Sequence, residues 1–330
     1  MSPATGKGKH PSARSGKASP AAKTPKLTIP DEKEVEIRLG ARAVRLTNLD
    51  KVFFPEIGMT KRALLQYYAD IAPVLLPHLR DRAMVMKRYP NGIHGKFFFM
   101  KRAPDPRPEW IETCRIDHAS GNVIDFPMIQ DLLSLLWVVN LGCIDLNQWY
   151  ARCGDVDRPD YLHFDLDPGP KAPFDKVLET AKIVHQALTA LSMPHFAKTT
   201  GSSGIHVYVP IGHGPTQKEV WTFAKAVGQT LAQQYPTLVT DVYALKDRPP
   251  EKVLVDYNQN AWGRTLASVY SVRPEERASV STPVTWDEIE EGFTMRDFRV
   301  DNVPARVEKM GDLWKPLLSE KGRFDLRKVI

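Results

Sequence analysis

Cysteine is scarce in this 330-residue chain. Cys114, Cys143 and Cys153 form no C-x-x-C pair and leave one residue over, so neither a zinc site nor a disulfide framework is expected. The pattern fits a reducing, cytoplasmic setting. Long apolar runs are also lacking: Met128 to Leu146 comes nearest, but Gln130, Asp131, Asn140 and Asp145 interrupt it short of a membrane span. A buried helix running into a strand is expected there, with no membrane association. The N-terminus has lysines but no apolar stretch before Leu27, so it does not read as a secretory leader. Acids are missing from residues 1–30, where Lys7, Lys9, Arg14, Lys17, Lys23 and Lys26 account for the whole net charge of +6. The rest balances, 39 basic residues against 39 acidic. Any nucleic-acid site must therefore lie in local patches rather than in the overall charge.

Residues 1–30, rich in Pro, Ser, Gly, Ala and Lys, read as a disordered basic arm, free to grip phosphates non-specifically or to remain solvated. Residues 31–330 read as one domain, with folding expected to begin near Val35. A hairpin is predicted over Val35–Leu39 and Ala43–Leu46, and a helix capped by Thr60 and running through His78 with a kink at Pro73. Strands are predicted at Ala83–Lys87, Lys96–Met100, Asn122–Phe126, Cys143–Trp149, Tyr161–Asp167, Ile205–Pro210, Lys252–Tyr257 and Thr265–Ser271. Helices are predicted at Phe174–Leu191 and Gln217–Gln234. Strands and helices alternate without a regular crossover period, which points to an α+β fold with a mixed sheet and flanking helices.

His163-Phe164-Asp165-Leu166-Asp167-Pro168-Gly169 sets two carboxylates at i and i+2 near the end of an apolar strand. Alternation sends both to one face, with Cα atoms roughly 6.5–7 Å apart. Side chains at that spacing can converge on two metals about 3.5–4 Å apart. Val253-Leu254-Val255-Asp256-Tyr257 breaks a second apolar strand with an acid, costly unless paired or metal-bound. Asp256 is thus the natural third ligand, and hard oxygens suit two Mg²⁺ or Mn²⁺ ions. Asp165 and Asp167 could instead sit in a plain turn with Asp256 paired to an arginine. A calcium loop is disfavoured because Lys176 stands where a bidentate Glu is needed. A phosphatase with Asp165 as nucleophile would ordinarily carry Thr or Val in place of Gly169.

Thr199-Thr200-Gly201-Ser202-Ser203-Gly204-Ile205-His206 links two strands through glycines that let backbone N–H groups approach an anion. Ser202 and His206 can donate to a phosphate. The G-K-[ST] ending of a Walker loop is absent. Between Arg80 and Arg115, the bases Arg80, Arg82, Lys87, Arg88, Lys96, Lys101, Arg102, Arg107 and Arg115 interleave with Tyr89, Phe97, Phe98, Phe99 and Trp110. Cations with stacking rings suit unpaired template bases, although a phenylalanine core strand with solvated flanks would look similar. Adjacent Phe98 and Phe99 cannot both face inward on a strand.

With these residues assembled, the chain resembles the polymerase domain of bacterial ligase D, within the archaeo-eukaryotic primase superfamily. The resemblance runs from about Thr47 nearly to the C-terminus. It rests on L-T-N-L-D-K at 46–51, M-K-R-Y-P-N-G at 86–92, F-F-M-K at 98–101, H-F-D-L-D-P-G at 163–169, G-S-S-G-I-H at 201–206 and V-D-Y-N-Q-N at 255–260. It implies that Asp165, Asp167 and Asp256 are the metal carboxylates, and that Ser202, His206, Arg248 and Gln259 approach the incoming nucleotide. Asn48, Lys51 and Lys61 would hold the 5′-phosphate on the downstream side of a gap. Phe98 and Phe99 would stack at the template, while Lys87 and Lys101 touch phosphates of nucleotide or nucleic acid. Two residues depart from the family pattern: Asn147 replaces a usual histidine near the nucleotide, and Ser203 a frequent lysine in the phosphate loop. A stand-alone, monomeric primase-polymerase that extends primers at gapped or broken DNA is therefore expected. It would use NTPs or dNTPs, with ribonucleotides and manganese favoured. A separate DNA ligase and other repair factors are its expected partners, in the bacterial cytoplasm at the nucleoid.

Overall fold

The computed structural model of the chain describes residues 27–118 and 121–330, so the basic arm up to residue 26 lies outside the described residues. Strands β1 (Val35–Leu39) and β2 (Arg42–Leu46) form the expected hairpin. Packing nevertheless starts earlier than Val35. Ile29 is buried, and its N–H donates to Gln66 Oε1 at 2.9 Å. A single isoleucine beside Pro30 gives no periodic signal, so periodicity alone sets the start too late. After the short pair β3 (Val52–Phe54) and β4 (Met59–Thr60) comes α1 (Lys61–Leu79). The Thr60 hydroxyl caps it by accepting from the Ala63 N–H at 3.3 Å. The helix runs on through Pro73 and Pro77 and buries Leu64, Tyr67, Tyr68, Ile71 and Leu75.

Next along the chain are β5 (Met84–Arg88), β6 (Phe98–Met100), β7 (Thr113–Asp117), β8 (Val123–Pro127), α2 (Leu132–Asn140) and β9 (Cys143–Gln148). The interrupted apolar run at Met128–Leu146 is thus a helix feeding a strand, begun by a capping box between Asp131 and Ser134. Among the described residues no helix is long and apolar enough to cross a membrane.

The second half brings β10 (Tyr161–Pro168), α3 (Phe174–Ala190), β11 (Phe196–Thr199), β12 (Ile205–Pro210), α4 (Gln217–Gln234), β13 (Val239–Thr240), β14 (Val253–Asp256), β15 (Leu266–Ala267) and β16 (Pro283–Val284). Two helices, α5 (Trp286–Glu291) and α6 (Val303–Met310), follow. Six strands form one sheet in the order β13-β14-β10-β12-β11-β16, antiparallel except for the parallel β13–β14 pair. Four more form a second sheet, β15-β9-β5-β6. Gly228 lets α4 close on the first sheet, since a Cβ there would lie 3.1 Å from the Tyr257 ring and 3.4 Å from the Val255 carbonyl oxygen. The mixed α+β architecture is as expected. The strand predicted at Thr265–Ser271 shrinks to β15 because Tyr270 adopts a left-handed φ of 60°, which breaks the extended run.

Two further expectations are corrected. Cys114 on β7 and Cys153 beyond β9 are disulfide-bonded, with Cα atoms 5.7 Å apart. The β7–β8 hairpin packs Cys114, Ile116 and Phe126 with Ala83, Val85 and Trp149 in a small second core, and this joins cysteines 39 residues apart that no local spacing rule pairs. Cysteine spacing therefore carries no information on compartment here. Arg82, read as part of a basic surface, is fully buried; its guanidinium donates to the Asp160 carboxylate, the Tyr150 carbonyl and, at 3.1 Å, the Tyr161 hydroxyl. Arg82→Met is expected to cost about 3–5 kcal/mol because it strands a buried carboxylate. A urea midpoint unchanged by that variant would show that Arg152 and Arg323, which also face Asp160, suffice without it.

Candidate active site

Strand register builds the site. Lys198 on β11 pairs with His206 on β12, His206 with Asp165 on β10, and Asp165 with Asp256 on β14. Four charged or polar side chains thus stand in one row across four neighbouring strands, on the opposite face from Val207, Leu166 and Val255. Asp167 follows at i+2 on the same face as Asp165. All but Asp167 are largely buried. Leu162, Phe164, Val207 and Val255 lie in the core on the other face.

The row is wired by directed hydrogen bonds. Lys198 Nζ reaches His206 Nδ1 at 2.6 Å, Ser281 Oγ at 2.6 Å and the Ala267 carbonyl at 3.0 Å. The Ser281 proton is itself given to the Thr199 carbonyl at 2.8 Å, so Nζ donates to all three neighbours. Burial, and then Arg273, push the Lys198 pKa well down, but three acceptors require three N–H bonds, and that count favours the ammonium form. With Nδ1 of His206 accepting from Lys198, the ring carries its proton on Nε2, 3.2 Å from Asp165 Oδ1. Burial, followed by Lys198 and Arg273, keeps that imidazole neutral by holding its pKa well below the usual range. Burial also pushes the Asp165 carboxyl up to about 6, against the pull of Lys198, Arg273 and Arg248. Asp167 and Asp256 are raised in turn, each chiefly by burial and further by Asp165.

These carboxylates supply hard oxygen donors on one face of the sheet, which suits a divalent cation. Their present partners are others. Arg248 Nη1 donates to Asp167 Oδ2 at 2.8 Å, and Asp256 accepts from the Asn258 N–H at 2.7 Å and Gln259 Nε2 at 3.0 Å. Among the described residues, no three His, Cys, Asp or Glu side chains are arranged as a ready ligand group. Gln259 is turned onto Asp256 rather than into open space. Arg248 is anchored by the Val242 and Tyr243 carbonyls as well as by Asp167.

Beside the row opens a cleft of about 360 Å³ lined by Asp165, Asp167, Ser202, Ser203 and His206 from the first sheet and its loop. Lys87, Asn147 and Phe99 come from the second sheet. The glycine–serine loop is backbone-locked: Thr200 Oγ1 accepts from the N–H groups of Ser202 and Gly204, and Gly201 takes a φ of 70°. Sequence reasoning misses three charged residues here. Asp145 is buried against Lys87 (3.9 Å) and Arg273 (3.5 Å), its Oδ1 without a hydrogen-bond partner. Arg273 lines the cleft and donates to the Thr200 carbonyl at 2.7 Å. Lys198 anchors the row. Asp145 and Lys198 each interrupt an apolar strand, the same signal that exposed Asp256.

Asn48, Lys51 and Lys61 meet in a separate pocket of about 220 Å³, together with Arg88 and Asn140. Lys51 Nζ donates to Asn91 Oδ1 at 2.6 Å and Lys61 Nζ to the Thr47 carbonyl at 2.8 Å. Lys87 and Arg88, neighbours on β5, line one cavity each, and the edge strand paired with β5 is β6. Phe98 and Phe99 are both exposed on it, at 42% and 61%, so the phenylalanine run is a surface platform and not a core strand. Phe99 lines the cleft, whereas the Phe98 ring stacks at 5.2 Å on Arg88 of the second pocket. Lys101 is exposed just beyond β6 and lines neither cavity.

Residues 60–314 match the family model described as LigD, primase-polymerase domain. A multifunctional non-homologous end joining protein LigD from Mycolicibacterium smegmatis is 36% identical over 276 residues, covering 83% of this chain and 36% of that protein. A bifunctional non-homologous end joining protein LigD from Bacillus subtilis is 28% identical over 269 residues, 81% of this chain and 43% of the relative. The chain thus spans well under half the length of these curated relatives. Among solved structures, the polymerase domain from Mycobacterium tuberculosis ligase D in complex with DNA superposes with a TM-score of 0.78 at 30% identity, covering 83% of this chain and 98% of that one.

Proposed function

Because the chain belongs to the LigD primase-polymerase family and is a nucleotidyltransferase of that class, we propose that it extends primers on a template at short gaps or broken DNA ends. The observation that carries the reading is the register row Lys198–His206–Asp165–Asp256 beside a glycine–serine loop and a platform of exposed rings. Carboxylates repel phosphates unless a cation intervenes, so a mere DNA-docking surface has no use for three of them. Asp165, Asp167 and Asp256 would hold two Mg²⁺ or Mn²⁺ ions, which when bound activate the primer 3′-hydroxyl and stabilise the departing pyrophosphate.

The chain's own groups do the rest. Ser202, Ser203, Arg273 and Lys87 face the triphosphate across the cleft, and the His206 Nε2–H, held in that tautomer by Lys198, offers a donor beside Asp165. The guanidinium of Arg248 substitutes for a cation on Asp167 until one arrives. Asp145, buried beside Lys87 and Arg273, and Asn147 line the same cleft, and ribonucleotides are proposed as the preferred substrates. Phe99 stacks the templating base. The pocket of Asn48, Lys51, Lys61 and Arg88 takes the downstream 5′-phosphate, with the stacked Phe98 ring joining it to the platform.

Extension of a labelled primer across a short gap with a downstream 5′-phosphate tests this directly, with Mn²⁺ or Mg²⁺ and rNTPs or dNTPs in parallel. Templated addition, faster with rNTPs, is expected. Tight gap binding without addition under any condition would overturn the polymerase reading in favour of a module that recruits repair factors.

A further inference from the structure

The loop serine Ser202 lines two cavities at once. One is the catalytic cleft. The other is a groove of about 400 Å³ formed with Glu275, Glu276, Arg277, Arg296 and Arg299. Where the two meet, the Ser202 hydroxyl does not face the cleft unengaged: it donates to Glu275 Oε1 at 3.0 Å. A carboxylate therefore lies across the loop through which a triphosphate has to be held. Glu275 is exposed and follows Arg273 by two residues, so the guanidinium that lines the cleft and the acid that caps the loop share one short segment. The field of Glu275 also reaches the other wall, where it raises the pKa of Lys87 against the larger lowering effect of burial.

From this arrangement, and given the nucleotidyl-transfer reading of the cleft, we propose that Glu275 is a negative determinant of nucleotide affinity, a loop gate that a triphosphate must displace. With Asp165 and Asp167 given to the metals, the cleft walls leave only Lys87 and Arg273 for the phosphates, and both already face Asp145. A further acid on the loop hydroxyl both repels the phosphates and occupies the donor they need. A purely structural Glu275, serving only to orient Ser202, makes the opposite forecast, since its loss would misplace the hydroxyl and weaken binding.

The two are separated by calorimetric titration of wild type, Glu275→Gln and Glu275→Ala with ATP, ADP and AMP in the presence of Mg²⁺, alongside gap-filling kinetics. Glu275→Gln is expected to tighten ATP about five- to tenfold, the scale of one charge-assisted contact. The gain should shrink from ATP to ADP to AMP, and the KM for NTP should fall in parallel. Glu275→Ala should tighten ATP as well. Equal or weaker ATP binding in both variants, or a gain independent of phosphate number, would overturn the gate. If ATP tightens as expected but no protein form extends a primer, the gate stands and the polymerase reading fails instead.

Discussion

Asp165→Asn is expected to cripple templated extension, lowering the rate by about 10²–10³-fold or more, the scale seen when one group that stabilises transition-state charge is lost. The substitution keeps size and shape. It leaves an oxygen for His206 Nε2–H, 3.2 Å away in the native protein, and removes only the charge that a divalent cation would meet. The same change should make the protein more stable. Burial raises the Asp165 pKa from an ordinary 3.8 to about 6, so the folded state holds this proton more tightly than the unfolded chain. That contribution is fully present below about pH 4 and is lost as pH rises through about 6. Above that window the ionised carboxylate costs on the order of 3 kcal/mol, at about 1.4 kcal/mol for each pH unit separating the folded from the unfolded value, and asparagine does not bear that cost. Thermal melts in metal-free buffer should show Asp165→Asn gaining several degrees over wild type at pH 8 and little at pH 4.5. Extension within tenfold of wild type would remove Asp165 from the reaction, and a lower melting temperature at pH 8 would contradict the electrostatic account.

Most of this site is legible in the sequence because strand alternation and charge cost leave marks there. Asp165 and Asp167 share a face by periodicity, and Asp256 stands out as an acid inside an apolar run. What periodicity cannot give is register between strands far apart in the chain. That Lys198, His206, Asp165 and Asp256 form one row depends on how β11, β12, β10 and β14 pair, and the sequence shows only that each strand exists. Asp145 marks the sequence merely as an interruption of an apolar stretch; its pairing with Arg273 joins residues 128 positions apart. The Cys114–Cys153 bond and the burial of Arg82 are hidden for the same reason, since each depends on a partner supplied by another element. Phe98 and Phe99 show the converse. Two adjacent rings on one short strand cannot share a face, and the exposure of both follows from β6 being the edge of its sheet.

The pocket at Asn48, Lys51 and Lys61 should make the reaction depend on the downstream 5′-phosphate, and in a pH-sensitive way. Lys61 is 4% exposed. Burial first, then the charges of Lys51 and Arg88, lower its pKa to about 8. One N–H is committed to the Thr47 carbonyl, which leaves the ammonium two more for a phosphate. Only the protonated form attracts that anion strongly, so the advantage of a 5′-phosphorylated over an unphosphorylated gap should be largest below pH 8. It should decline as pH rises past 8, with bound phosphate delaying the decline by stabilising the proton it uses. Lys51→Ala combined with Lys61→Ala removes two charge-assisted contacts of about 1.5–3 kcal/mol each, so the advantage should fall about 10²-fold or more while simple primer extension survives. The ratio of kcat/KM on the two gaps, measured between pH 6.5 and 9.5, decides the matter. An unchanged ratio in the double variant would place the phosphate elsewhere. Loss of the ratio in that variant, with a flat wild-type profile, would assign the phosphate to Lys51 and Arg88 and leave Lys61 the task of holding Thr47 in place.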